Sequence, residues 1–113
     1  MRLGVVGSRG FNDYFLMKDI LDEYENIDTI VTGGANGADT WAEHYAKKYG
    51  IQCLVIPAEW SRLGRKAGYI RNVEIVNQSD VIIAFWDGKS KGTKLTIDIS
   101  EKKGKEIRII EVR

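Results

Sequence analysis

"VTGGANGADTWAEHYAKKYG", residues 31 to 50, decides how the rest of the chain is read. It closes an apolar run, passes through a glycine pair, and then enters a helical pattern. Ala38, Trp41, Ala42, Tyr45, Ala46 and Tyr49 recur at i, i+3, i+4, i+7, i+8 and i+11, one face of a helix. Gly50 supplies the stop. Asp39 stands in the first turn, where a carboxylate favours the helix dipole and suits a cap. Strand, bare loop and helix in this order make half of a βαβ unit. The loop raises a question of its own: what comes so close to the main chain at Gly33, Gly34 and Gly37?

Working outward, five short runs read as strands: "RLGVVG" (2–7), "DTIVTG" (28–33), "QCLVIP" (52–57), "DVIIAFW" (80–86) and "KEIRIIEV" (105–112). Most are continuously apolar, as expected of strands buried on both faces in a parallel sheet. Leu16, Ile20, Leu21 and Tyr24 mark a first helix; Ala67, Ile70, Val73 and Val76 mark a third. The segment "KLTIDIS" alternates like a strand. Parallel neighbours nevertheless need a crossover of about a dozen residues, and 93–103 is the only stretch left to supply it, so a helix ending at Gly104 is expected. The pattern predicts one α/β domain over residues 1–113, a three-layer, Rossmann-like, doubly wound sheet of about five parallel strands.

Composition agrees: 43% hydrophobic and 29% charged residues are an ordinary globular balance, and the net charge of +1 gives no overall pull toward nucleic acid. The single cysteine, Cys53, excludes an intramolecular disulfide and is expected to pack as a small buried hydrophobe. No segment has the roughly 18 apolar residues of a membrane span, and the N-terminus shows no signal-peptide core, so a cytoplasmic protein is expected. There is no His/Asp cluster to hold a metal, and no cofactor is expected.

Ligands of open parallel sheets bind beyond the carboxyl ends of the strands. The loops there are "GSRGF" (7–11), "GGANGAD" (33–39), "PAEW" (57–60) and "DGKSKGT" (87–93). Three are rich in small polar residues, and at least two lead straight into a helix, whose free N–H groups attract phosphate. The expected ligand-binding residues are Gly7, Ser8, Arg9, Gly33, Gly34, Asn36, Gly37, Asp39, Arg71, Asn72, Asp87, Ser90, Gly92 and Thr93. Asp87 ends strand four and suits a catalytic, ribose-binding or loop-structuring role. "EWSRLGRKAGYIRN" (59–72) carries Arg62, Arg65, Lys66 and Arg71 with Trp60 and Tyr69. It reads either as a solvated helix face or as a basic wall pairing with phosphates and stacking on a base. His44 reads as a surface residue and Asp80 as a turn residue. The lysine of a P-loop and the third glycine of G-x-G-x-x-G are both missing, and Thr32 and Gly33 stand where a ribose-binding acid would be. A dinucleotide dehydrogenase is therefore not expected.

The order "VVGSRGFNDY", "VTGGANGADTWAEHYAKKYGI" and "GYIRNVEIVNQSDVIIAFWDGKSKGTKLTI" resembles the SLOG superfamily, specifically its small YspA/YpsA-related members. The resemblance implies a nucleotide or nucleotide-derived ligand, for example of the ADP-ribose type, held by a sensing or sequestering module. The superfamily includes the LOG phosphoribohydrolases and the DNA-binding DprA proteins. In the former, a P-G-G-x-G-T-x-x-E motif is similar to "GKSKGTKLT" here, aligning its G-T with Gly92 and Thr93 and its catalytic glutamate with Thr96. A LOG-like hydrolase reading would assign catalysis to Arg71 and Asp87, with Asp39 the other available carboxylate; the missing glutamate argues for binding. Single-stranded DNA binding is the lesser alternative. A homodimer is also implied, with Trp41 and Trp60 as aromatic candidates for its interface.

Overall fold

The computed structural model describes residues 1–113. In chain order the elements are β1 (Arg2–Gly7), α1 (Tyr14–Leu21), β2 (Thr29–Thr32), α2 (Ala38–Lys48), β3 (Gln52–Val55), α3 (Trp60–Leu63), α4 (Lys66–Gln78), β4 (Val81–Trp86), α5 (Lys91–Lys102) and β5 (Glu106–Glu111). The five strands form one sheet in the order β3-β2-β1-β4-β5, with every pairing parallel. This is the expected doubly wound α/β architecture. No helix is long and apolar enough to cross a membrane.

Two apolar layers hold it together. On one face Leu3, Val5, Ile30, Ile83 and Phe85 of the sheet pack against Met17 and Leu21 of α1 and Ala42, Tyr45 and Ala46 of α2. On the other, Val6, Val31, Ile82 and Ala84 pack against Ile75 and Val76 of α4 and Ile97 and Ile99 of α5. Adjacent residues such as Val5 and Val6 thus serve opposite layers, which is why the central strands read as unbroken apolar runs. Burying each such side chain contributes about 1.5–3 kcal/mol.

Local signals set the element ends. The Asp13 carboxylate accepts the Leu16 N–H at 3.1 Å and caps α1. Gly50 and Gly104 take positive φ after α2 and α5, and the chain closes back through Ile51 N–H to the Ala46 carbonyl and Lys105 N–H to that of Ser100, at 2.8 and 2.9 Å. The alternating "KLTIDIS" is helical, as the crossover requires. Its alternation does not prevent Thr93, Thr96, Ile97 and Ser100 from being buried. The Asp80 carboxylate accepts the Arg2 N–H at 2.7 Å, holding the starts of β4 and β1 together.

Three expectations change. Strand β3 lies at the sheet edge and all four of its residues are exposed, so Cys53 is an exposed thiol rather than a core one. Trp41 is half-buried, with its ring 5.5 Å from that of Tyr14 and 5.9 Å from that of His44. The short helix α3, which the periodicity did not predict, turns the chain at Trp60–Leu63.

The chain runs from β1 outward to β3, then returns by α3 and α4 to place β4 on the other side of β1. The carboxyl ends of β1 and β4 therefore flank the point where strand order reverses, which is where doubly wound sheets leave a crevice.

Candidate functional site

At this edge the β1–α1 loop is fixed first. Ser8 N–H donates to the Phe85 carbonyl at 3.0 Å, and the Ser8 carbonyl accepts from Phe11 at 3.1 Å and from Ala38 at 3.4 Å. The Ser8 hydroxyl oxygen accepts the Asp87 N–H at 3.1 Å. Ser8 is buried and ties three loops to one another. The Phe11 ring packs 4.9 Å from that of Phe85 and anchors the same loop.

What approaches Gly37 is the chain itself. Its φ is +81°, and a Cβ there would lie 2.4 Å from the carbonyl oxygens of Ser8 and Arg9. A Cβ on Gly7 would lie 2.6 Å from both the Ala38 Cβ and the Phe85 carbonyl oxygen. These two glycines let the first two loops close on each other.

Gly33 meets a charge. The Asp39 Oδ2 accepts the N–H groups of Gly33 and Ala35 at 3.2 and 3.1 Å. Arg71, reaching across from α4, donates Nη1 to the Gly33 carbonyl at 2.9 Å and Nε to the Asn72 Oδ1 at 2.8 Å. Burial pushes the Asp39 carboxyl up, against the pull of the Ala35 and Gly33 amides and the Arg71 charge. Burial likewise draws Arg71 down, opposed by Asp39 and reinforced by the like charge of Arg9. A guanidinium remains protonated through such a shift, so Arg71 is a fixed cation at this edge.

The β4–α5 loop is shaped by Asp87. Its Oδ1 accepts the N–H groups of Ser90 and Lys89, both at 2.8 Å, which hold its carboxyl below the usual range. Trp86 Nε1 donates to the Ser90 carbonyl at 3.0 Å. Asn72 Nδ2 and Thr96 Oγ1 both donate to the Gly92 carbonyl, at 3.4 and 3.3 Å. Helix α5 then opens with no side-chain cap, leaving its first N–H groups for something else.

Two cavities result. The first, about 260 Å³, is lined by Val6, Gly7 and Arg9 from β1 and its loop, Ala35 and Asp39, then Arg71, Asn72 and Ile75 of α4, and finally Ser90, Lys91, Gly92, Thr93 and Thr96. The second, about 290 Å³, lies against Gly33, Gly34, Ala35, Asn36, Ala58 and Trp60. Arg9, Ala35 and Arg71 wall both.

Most of the expected residues are thus gathered around one edge. Ser8, Gly37 and Asp87 line neither cavity and act on the loops instead. The basic segment divides. Arg71 and Trp60 face the cavities, whereas Arg62 pairs with Glu59 at 2.6 Å in the open, and exposed Arg65 and Lys66 line neither. Val6, Ala35, Ala58 and Ile75 were not foreseen; small and apolar, they carry no chemical signal in a sequence.

Comparison with known proteins places the chain in a family and a fold. The profile of the YspA, cpYpsA-related SLOG family matches residues 1–63, which end within α3. The Gene 61 protein of Mycobacterium phage D29 is 34% identical over 113 residues, covering 91% of this chain and 90% of that protein. The X-ray structure of DNA processing protein A (DprA) from Streptococcus pneumoniae shares the fold, with a TM-score of 0.83 at 19% identity. It is matched over 99% of this chain, which spans 50% of the length of that one.

Proposed function

Because the chain belongs to the YspA, cpYpsA-related SLOG family, we propose that it binds a nucleotide or nucleotide-derived ligand at the carboxyl edge of the sheet, as a sensing or sequestering module. One observation carries this reading: the uncapped start of α5 and the Arg71 guanidinium border the same cavity, at the point where strand order reverses. Free N–H groups at a helix start together with a fixed cation match the charge and hydrogen-bonding of a phosphate. Ser90 and Thr93, whose hydroxyls are hydrogen-bonded to each other at 3.1 Å, leave one hydroxyl proton as a further donor.

Binding is favoured over N-glycosidic hydrolysis by the carboxylates. A hydrolase needs a carboxylate free to stabilise an oxocarbenium-like state or to activate water. Asp39 is the one acidic residue among those lining either cavity, and its Oδ2 already accepts two backbone N–H groups. Asp87 lines neither, and in the resemblance to the LOG motif the glutamate aligns with Thr96.

The test is a thermal-shift screen of the whole chain against nucleoside mono-, di- and triphosphates, NAD and ADP-ribose, with each positive mixture resolved by reverse-phase chromatography. Ligand at about 100 times its Kd adds about 2.7 kcal/mol, roughly 10 °C for a domain of this size. A shift with intact ligand supports a binding module. Released base converts the reading to a hydrolase, and no shift with any compound rejects the site.

A further inference from the structure

Resting on that nucleotide reading, we propose that the ligand is two-headed: a dinucleoside pyrophosphate whose phosphates bridge Arg9 and Arg71, with one ring in the α5 cavity and the other stacked on Trp60 in its neighbour.

The shape of the site supports this class. The two cavities of about 260 and 290 Å³ share Arg9, Ala35 and Arg71 as a common wall. Each alone falls below the roughly 300 Å³ at which small-molecule pockets begin, and together they fall within that range. The wall between them carries charge rather than apolar surface. Neither arginine forms a salt bridge, although the Asp39 charge nearby partly offsets that of Arg71. Two guanidiniums on one shared wall, facing a single carboxylate whose Oδ2 already accepts two backbone N–H groups, suit a ligand with adjacent negative groups, and a pyrophosphate presents two.

The second cavity offers a surface for a ring. Trp60 is 55% exposed, an uncommon state for so large an aromatic. It is nonetheless held in place. The Gly64 N–H returns to the Trp60 carbonyl at 2.9 Å, closing α3, and Glu59 pairs with Arg62 across the same turn. The indole lies over Gly68 of α4, where a Cβ would come within 3.1 Å of its ring. The outer end of its six-membered ring is thereby backed by α4. The exposed remainder borders a cavity that Asn36 also lines, offering an amide to a heterocycle edge.

Affinities of AMP and NAD for the whole chain, with Trp60→Ala and Trp60→Phe, test this. NAD is expected to bind at least about 10-fold more tightly than AMP. Trp60→Ala should remove most of that advantage and leave AMP unchanged, since one stacked base contributes about that factor or more. Trp60→Phe should retain most of the advantage, which separates stacking from misfolding. Equal affinities in the wild type, or an equal loss of AMP and NAD in Trp60→Ala, would overturn the two-headed ligand while leaving a nucleotide site standing. Tighter binding of oligo(dT) than of NAD would also overturn it, since the second ring would then be the next residue of a strand. Binding of none of these would remove the nucleotide site and this inference together.

Discussion

Asp39 and Arg71 grip the same glycine through its two backbone groups: the carboxylate accepts the Gly33 N–H at 3.2 Å, and the guanidinium donates to the Gly33 carbonyl at 2.9 Å. The two side chains approach each other electrostatically but make no salt bridge. Their shared partner is the backbone of the β2–α2 loop, so both charges set its shape. Asp39→Ala would leave the Gly33 and Ala35 N–H groups without their acceptor. A loss of about 1–3 kcal/mol is expected, read as a lower urea midpoint. Arg71→Lys removes the planar fork but keeps the charge. It should cost about 1 kcal/mol of stability through the lost hydrogen bonds to Gly33 and Asn72, and weaken phosphate ligands roughly 10-fold or more. Full affinity in Arg71→Lys would mean that the fork is not used.

The glycines separate into those required by packing and those left open. Gly37→Ala forces a side chain into φ +81° and against two carbonyl oxygens at 2.4 Å. Strain and overpacking together should cost about 3 kcal/mol or more, with or without ligand. Gly92, in the first turn of α5, has nothing within 4 Å of its missing Cβ. Gly92→Ala should therefore stabilise the free protein by about 0.4–1 kcal/mol, and, because Gly92 lines the first cavity, it should lower ligand affinity. Thermal melts with and without ligand check both. A stabilised variant that binds as well as wild type would remove Gly92 from the site.

Acid separates the two aspartates. Burial raises the Asp39 carboxyl, so its contribution is fully present below the unfolded carboxylate pKa, about 4, and is lost as pH rises through its folded value. Asp39→Asn should consequently cost less stability at pH 7 than at pH 4. The Ser90 and Lys89 amides lower Asp87, so its contribution is present above about 4 and is lost as pH falls through the folded value. Asp87→Asn should be most harmful at neutral pH and approach wild type in acid. Parallel melting curves from pH 3 to 7 would show the two deficits changing in opposite directions; a common trend would contradict both assignments.

Element type was readable because the central strands are buried on both faces and the helices show a single apolar stripe. Strand order was not, since the residues of β3 and β2 look alike in sequence and only packing decides which lies at the edge. That is why Cys53 was expected in the core. Three of the loops were legible as glycine-rich, but their glycines mixed two causes. The approach of Gly37 to the Ser8 and Arg9 carbonyls is a contact between loops some thirty residues apart, with no local sign. Arg71 stood out from the other cations of the basic segment through the resemblance to the LOG enzymes, which implies an arginine on the helix before β4. Ala35, whose N–H is held by Asp39, could not. The helical "KLTIDIS" followed from connectivity overriding pattern.

The edge strands differ in a way that predicts association. β5 interrupts its apolar residues with Glu106, Arg108 and Glu111, and Arg108 pairs with Glu23 at 3.1 Å. Such charges block pairing with another chain. β3, "QCLV", has none, and Leu54 and Val55 are each 37% exposed. Its outer backbone groups also have no partner strand. We propose that self-association, expected from the family resemblance, uses β3 rather than Trp41, whose ring packs on Tyr14. Val55 packs near Gly34, so Leu54 is the better residue to change. Leu54→Lys should convert a concentration-dependent dimer into a monomer by light scattering, at a stability cost of about 1 kcal/mol or less, because the long side chain carries its charge to water. A wild-type chain that stays monomeric at the highest attainable concentration, or a Leu54→Lys dimer of unchanged strength, would exclude β3 as the contact.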